Sequence, residues 1–480
     1  MKQDAEYEGC VSRLSRSHGM GAQLLVFLLI SILFGGGGVN AAWQNLLVQL
    51  AGLALLAINF AAVRRFALQA PHTLRVLAIC LLAVPLIQLI PLPPSIWKQL
   101  PGRDLLITSL ELVGHEDDFR PITVSVARTS LSLIGLIPLM AALVVGYSFQ
   151  RESRDRLLQL LVVMGWVQLA FGAISLATGA NTTLFESDHA SGMLRGLFAN
   201  KNSTGLFLDV ALIGAMGLLF AKAGARHSWG YAAWVSVIIF PVAIILTVSR
   251  SAMVLLAVVA VAGLGLAFVR AARKTEPGGI SAGRLKALIG GVVLACTIGG
   301  LVVTAGMGQG RIERSLVRFA DLQDGRAGIW ADALTSASHF WPVGAGMGTF
   351  DEVFQVDESL ERVRAGRAGR AHNEYLEIAI ETGVIGIGAI LYFAALHLIA
   401  CIKAIRHRNA IYAVAAFAGL LCIAAQSVLD YPMRSAAMLP VAGLLLALFW
   451  GAVPDRNIVR RPLTNTDQDS ARRPTLRTLP

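Results

Sequence analysis

Charge is in short supply. Only 15% of the 480 residues are charged, 55% are hydrophobic, and the mean hydropathy is +0.64. Soluble domains carry roughly 45–50% apolar and about 25% charged residues, so the shortage excludes a soluble globular protein. Cysteine is scarce too. Of the five, Cys80, Cys296, Cys401 and Cys422 fall in or beside apolar runs and Cys10 lies near the N-terminus. None falls in the segments read as outer loops, which excludes a disulfide framework, and no metal-ligand spacing is present. The glycines of "WPVGAGMGTF" (Trp341–Phe350) follow no strand and precede no Lys-Ser or Lys-Thr, so a nucleotide fingerprint and a P-loop are both missing, and a turn returning the chain to the membrane is expected. Apart from "GGGG" at Gly35–Gly38, repeats and low-complexity tracts are lacking. No metal and no cofactor are expected. The net charge of +11 has no basic soluble domain behind it, which argues against a nucleic-acid partner.

What is present is a succession of apolar runs of about 17 to 25 residues, the length that crosses a bilayer as a helix. They lie at 21–39, 42–61, 76–96, 129–148, 157–177, 203–221, 230–248, 252–269, 287–306, 375–399, 410–428 and 435–452. The expected fold is an all-α integral membrane protein of about 12 transmembrane helices with one large periplasmic loop. Its divisions are a cytoplasmic N-terminal segment 1–20, nine helices over 21–306, the loop 307–374, three helices over 375–452, and a cytoplasmic tail 453–480 whose Arg-, Thr- and Pro-rich composition predicts disorder. With the N-terminus inside, the cytoplasmic segments hold 25 of the 41 basic and 9 of the 30 acidic residues, a net +16 against −4 outside. The basic excess is the positive-inside signal. "VNAAW" (Val39–Trp43) has the small residues of a cleavage site, but Asp4, Glu6 and Glu8 are atypical of a signal peptide's flank, and an uncleaved anchor is expected.

Two outer segments are long. The prolines and tryptophan of "PLPPSIWKQLPGRDLL" (Pro91–Leu106) suit an interfacial loop at about 97–128. The segment 307–374 is long enough to fold over the membrane face, with short helices expected in "GRAGIWADAL" and "DEVFQVDESLERVRAGR". Six polar stretches gather on this side: "LRGLFANKNSTG" (Leu194–Gly205), "LTVSRSA" (Leu246–Ala252), "GRAGIW" (Gly325–Trp330), "HFWPVGAGMGTF" (His339–Phe350), "RAHNEYLE" (Arg370–Glu377) and "DYPMR" (Asp430–Arg434). Four of them precede helices running inward, whose N-terminal N–H groups and positive dipole ends favour anions. Asn202 or Ser203, Ser249, Asn373 and Asp430 are the expected caps.

This chemistry suits a phosphate-containing lipid headgroup, because arginine offers a planar fork of donors that is always charged. Arg250 interrupts two apolar runs, where an ionisable residue is functional or snorkels to the interface. Lys201 serves equally as a ligand or as a loop lysine beside a cap, and Arg326 is one of eight arginines in the large loop. The imidazole of His372 is a candidate general base, since imidazole accepts a proton near neutral pH. Glu374, Glu377 and Glu381 are the competing carboxylates, and Glu377 and Glu381 share a helix face where acids also complement the dipole. Asp209, about two turns into its helix, is the main feature favouring a transporter.

Taken together and in order, "GLFANKNSTG", "LTVSRSA", "RAGIW", "PVGAGMGTF", "HNEYLEIAIETG" and "DYPMR" resemble the O-antigen ligase and polymerase superfamily of bacterial envelope proteins, over roughly 190–436. The resemblance implies a C-type, metal-independent, inverting glycosyltransferase of the inner membrane, with its active site facing the periplasm. Such enzymes move a glycan from an undecaprenyl-diphosphate carrier to an acceptor, lipid A-core in ligases or a further lipid-linked repeat unit in polymerases of O-antigen or exopolysaccharide. It further implies that Arg250 and Arg326 hold the diphosphate, that His372 activates or positions the acceptor hydroxyl, and that Lys201, Asn202 and Arg434 are supporting contacts. Glu374 and Glu377 are carried as substrate-binding candidates beside them. The competing readings are a multi-span transporter or flippase, which should show interrupted spans in two matching halves, and a non-catalytic scaffold needing neither Arg250 nor His372.

Overall fold

The computed structural model describes residues 19–37, 41–149, 153–178, 193–221, 227–271, 326–363 and 369–454. The expected span at 287–306 and the tail from 455 lie outside the described residues. Those described are almost wholly helical. After α1 (Gly19–Phe34), the run expected as one span at 42–61 is two helices, α2 (Ala42–Ile58) and α3 (Phe60–Gln69), bent by 77° at Asn59. The Asn59 amide stabilises the corner by donating to Leu55 O at 3.0 Å and Gln23 Oε1 at 2.9 Å. α4 (His72–Gln88) stops short of the expected 96. Pro91, Pro93 and Pro94 supply no N–H to continue a helix, and β1 (Pro91–Leu92) and α5 (Pro94–Trp97) form instead. After α6 (Asp104–Glu111), β2 (Arg120–Pro121) returns antiparallel to β1, with Pro91 opposite Pro121 and Leu92 opposite Arg120.

α7 (Val126–Gly135) is capped by Ser125, which accepts from Arg128 N, and leads into α8 (Ile137–Tyr147). There follow α9 (Arg154–Thr178), α10 (Lys201–Phe220), α11 (His227–Leu246) and α12 (Arg250–Ala271). The described part of the large loop forms two helices, α13 (Arg326–Phe340) and α14 (Phe350–Asp357). The described residues close with α15 (Glu374–Ala404), α16 (Ala410–Gln426), a 3-10 turn at Pro432–Arg434, and α17 (Met438–Ala452). Among the described residues, six stretches are long and apolar enough to cross a membrane: α7–α8, α9, α10, α11, α12 and α15. The bent pair α2–α3 makes a seventh, while α1, α4, α16 and α17 are apolar but shorter.

α10 occupies the centre, packed among α9, α11, α12 and α16 and buried along nearly its whole length. Small residues permit this closeness: a Cβ on Gly205 would lie 2.3 Å from that of Ala252. Asp209 is fully buried in α10, and neither of its carboxylate oxygens has a hydrogen-bond partner. α15, by contrast, presents Ile385, Leu391 and Leu398 outward, the surface of a helix with an apolar environment.

Over one end of the bundle sits a second, small apolar core of Ala333, Phe340, Phe350, Phe354 and Ile380, joining α13 and α14 to the first turns of α15. The segment between α13 and α14 does return the chain to the bundle. It lies against a break in α15, where Gly383 has φ +58 and Val384 N donates to Pro342 O at 2.9 Å. Ala345 N and Gly346 N donate to the carbonyls of Ile380 and Glu381. Arg103, 1% exposed, links this segment to the α5–α6 loop by donating to Gly344 O at 3.1 Å, Pro101 O at 2.9 Å and Ile122 O, with its guanidinium 5.3 Å from the centre of the Phe340 ring. Burial pushes that guanidinium down to about 10.

Candidate functional site

The polar stretches converge where α10, α12 and α15 begin and α16 ends. Asn373 caps α15 by accepting from Leu376 N at 3.1 Å, and Ser249 caps α12 by accepting from Ala252 N at 3.3 Å, as their positions predict. Two other caps differ. Asn200, rather than Asn202 or Ser203, caps α10 by accepting from Asn202 N at 2.9 Å. Asp430 caps no helix; the 3-10 turn intervenes before α17, and the Asp430 carboxylate is drawn instead to α10 and His372.

Asp430 is 2% exposed, and its Oδ2 accepts from Asn200 Nδ2 at 2.8 Å and from Asn202 Nδ2 at 3.0 Å. Its Oδ1 accepts from Tyr431 N at 3.1 Å and faces His372 Nδ1 at 3.4 Å. Burial alone would raise this carboxyl; the facing imidazole and the two amides outweigh it and hold the group below the usual aspartate range. The His372 ring lies 5.1 Å from that of Tyr431, and the His372 backbone is left-handed, with φ +51. The contact is an ion-pair approach, and Nδ1 is buried without a hydrogen bond of standard geometry; a carboxylate on that side favours a proton on Nδ1 and leaves Nε2 to accept one.

Arg326 approaches through its helix. Trp330, four residues on and so on the same face of α13, donates from Nε1 to Ala371 O at 2.8 Å, next to His372. Burial and then the Asp430 carboxylate push the Tyr431 phenol up, while Arg370 and Arg326 pull it down, so the Arg326 charge is felt at Tyr431. Lys201 and Arg250 are the first residues of α10 and α12. Lys201 is flanked by Asn200 and Asn202, and Arg250 by Ser249 and Ser251.

The glutamates form a buried network around two arginines. Glu377 is fully buried; Oε1 accepts from Ala371 N at 3.0 Å, and Oε2 lies 3.1 Å from Arg370 Nη1 and 3.4 Å from Arg434 Nη2. Glu381 Oε2 accepts from Arg434 Nη2 at 2.7 Å, and Glu374 Oε2 accepts from Ser427 Oγ at 2.7 Å. Burial would lower the Arg434 guanidinium, but the carboxylates of Glu381, Glu377 and Glu374 outweigh it and raise it above its ordinary range. Arg434, Glu374 and Glu377 thus brace the backbone that carries His372.

His372, Asn202, Arg434, Glu374 and Glu377 are therefore brought together, with Arg326 on the facing helix and Lys201 and Arg250 at the adjoining helix starts. Asp430 as the partner of His372, and Asn200, Tyr431 and Arg370, were not singled out from sequence as site residues. The "DYPMR" and "RAHNEYLE" stretches contained the signal, but the pairing is tertiary. The arrangement can bind an anion among arginines and helix N-termini and take a proton from a hydroxyl beside it.

No curated protein matches the chain. Residues 234–391, from α11 through the first half of α15, match the family model described as "O-Antigen ligase", and this supports the chain's relation to the O-antigen ligase superfamily.

Proposed function

We propose that the protein is an O-antigen ligase-like glycosyltransferase acting at the periplasmic face of the inner membrane, with undecaprenyl-diphosphate-linked glycan as donor and lipid A-core as acceptor. The observation that carries this is the His372–Asp430 pair, set where two helices begin with Lys201 and Arg250 and where the α13 face that carries Arg326 meets Ala371. The family match over 234–391 supports the class of reaction.

In this reading Arg250 and Arg326, with Lys201 and the N–H ends of α10 and α12, hold the donor diphosphate and stabilise charge as it leaves. The acceptor hydroxyl attacks the anomeric carbon from the opposite side as the carbon–oxygen bond to the diphosphate breaks. Its proton passes to His372 Nε2, and the configuration at carbon inverts. Asp430 orients the imidazole and stabilises its charged form, a division of labour that mutagenesis of such pairs values at about 10²–10⁴ in rate. Asn202, Arg434, Glu374 and Glu377 act as positioning groups.

A polymerase joining lipid-linked repeat units would share the donor side and differ in acceptor. The test is to delete the gene, resolve envelope glycans by size, and complement with wild-type or His372→Ala protein. Loss of polymer from lipid A-core, with full-length polymer kept on carrier lipid, is the ligase outcome. A single repeat unit on core, or loss of secreted polymer alone, is the polymerase outcome. Full transfer by well-expressed His372→Ala protein would refute both.

A further inference from the structure

Among the described residues, two that are not glycine hold a left-handed backbone, Val248 at φ +53 and His372 at φ +51. For a β-branched residue such as Val248 this conformation is strained. The two stand at opposite ends of one chain of side-chain contacts. Ser249, next to Val248, donates from Oγ to Asn202 Oδ1 at 2.8 Å; Asn202 Nδ2 donates to Asp430 Oδ2 at 3.0 Å; Asp430 Oδ1 faces His372 Nδ1 at 3.4 Å.

The direction of this chain matters. A primary amide has one accepting and one donating end, and it is the surrounding network that decides which way it points. The Ser249 hydroxyl occupies Asn202 Oδ1 and so turns Nδ2 toward Asp430. Without that hydroxyl the Asp430 carboxylate still selects Nδ2, but the other end of the amide loses its anchor and the side chain can swing away from Asp430. Asp430 Oδ2 would then keep only the Asn200 amide, and its hold on the imidazole through Oδ1 would loosen. The position is built for this. Thr247 Oγ1 accepts from Ser249 N at 3.2 Å, and Ser249 Oγ donates to Asn202 while it accepts from Ala252 N and meets Ser251 Oγ at 3.2 Å, so donating to Asn202 is distinct from capping.

We propose that Ser249 is a positioning residue that, through Asn202 and Asp430, fixes the orientation of His372, and so ties the start of α12, where Arg250 stands, to the group that receives the acceptor's proton. The proposal rests on the functional reading above for its consequence, but the orientation itself is measurable without any reaction.

The experiment uses the full chain in lipid nanodiscs with ¹⁵N-labelled histidine, the His372 signal being assigned by its loss in His372→Ala protein. Neutral His372 is expected mainly as the Nδ1–H tautomer in wild type, with the Nε2–H form rising in Ser249→Ala and Asn202→Ala. Ser249→Thr keeps the hydroxyl and restores the wild-type spectrum. Ser249→Asp keeps a good helix cap but cannot donate to Asn202, so it should resemble Ser249→Ala, which separates the relay from capping. Glycan transfer from a diphosphate-lipid donor is measured on the same samples. Ser249→Ala is expected to lower kcat about tenfold with donor KM within about twofold, part of what a positioned base contributes. The double substitution should be no worse than Asn202→Ala alone. An unchanged tautomer in Ser249→Ala overturns the proposal whatever transfer does. A changed tautomer with transfer intact upholds the relay and overturns the catalytic reading of His372.

Discussion

In the proposed reaction Asp430 positions the His372 imidazole, so Asp430→Asn should cut transfer by about 10²–10⁴; an amide fits the same space but turns N–H groups toward the donors of Asn200, Asn202 and Tyr431, which should also cost about 1–3 kcal/mol of stability. The pH dependence of stability follows from the direction of its shift. A carboxyl held low in the folded state stabilises above its unfolded value, and that contribution disappears only as pH falls through the lower, folded value. The difference in thermal stability between wild type and Asp430→Asn should therefore persist from about pH 7 to 5 and shrink only below about 4. A difference that fades between pH 7 and 5 would show that another group carries it. Arg434 serves another purpose. Removing it leaves Glu374, Glu377 and Glu381 facing one another in a buried space, so Arg434→Ala should destabilise by about 3–5 kcal/mol, read as loss of folded protein in detergent. The candidate site residues stood out in the sequence because arginine, histidine and asparagine contrast with apolar runs. Their partners were not, since Asp430 and His372 meet only once α15 and α16 have packed.

At the scale of elements, the break in α15 is the sharpest constraint. A Cβ on Gly383 would lie 1.9 Å from Pro342 O, and φ there is +58. Gly383→Ala should push the 342–348 segment out of register and destabilise by several kcal/mol, about 2–4, visible as a lower melting temperature and faster proteolysis between α13 and α14. Arg103→Ala should have a related effect, since it leaves three carbonyls without their shared donor. Helices in the bundle were legible as apolar runs, and the cap at Asn373 as an asparagine ahead of two acids. The break was not, because one glycine inside an apolar run reads the same whether it kinks the helix or merely packs. The corner at Asn59 was hidden likewise, and Arg103 looked like any loop arginine until the 344 carbonyl was placed beside it.

For the whole molecule, the convergence of the polar stretches on one end of the bundle predicts a single accessible face. In a background with all five native cysteines replaced, Leu360→Cys, at a position 89% exposed beyond α14, should react with an impermeant maleimide added outside intact spheroplasts. Arg406→Cys, at the exposed far end of α15, should react only after permeabilisation. The reverse pattern would invert the proposed orientation. The proposed sidedness rests on the distribution of basic residues, whereas the joining of the two long loop segments had no sequence signal.

That joining has a temporal side. Gln88 receives its bond from Met347 N across 259 residues of chain, and Val124 N finds its acceptor only in Ala345. At about 5–20 residues per second, ribosomes need roughly 10 to 50 s between delivering the first partner and the second. Throughout that interval the segment after α4 waits with Arg103 lacking its Gly344 acceptor and Thr129 lacking Met347 O. The newborn chain thus passes through a half-built stage in which its earliest long loop still lacks the partners that close it.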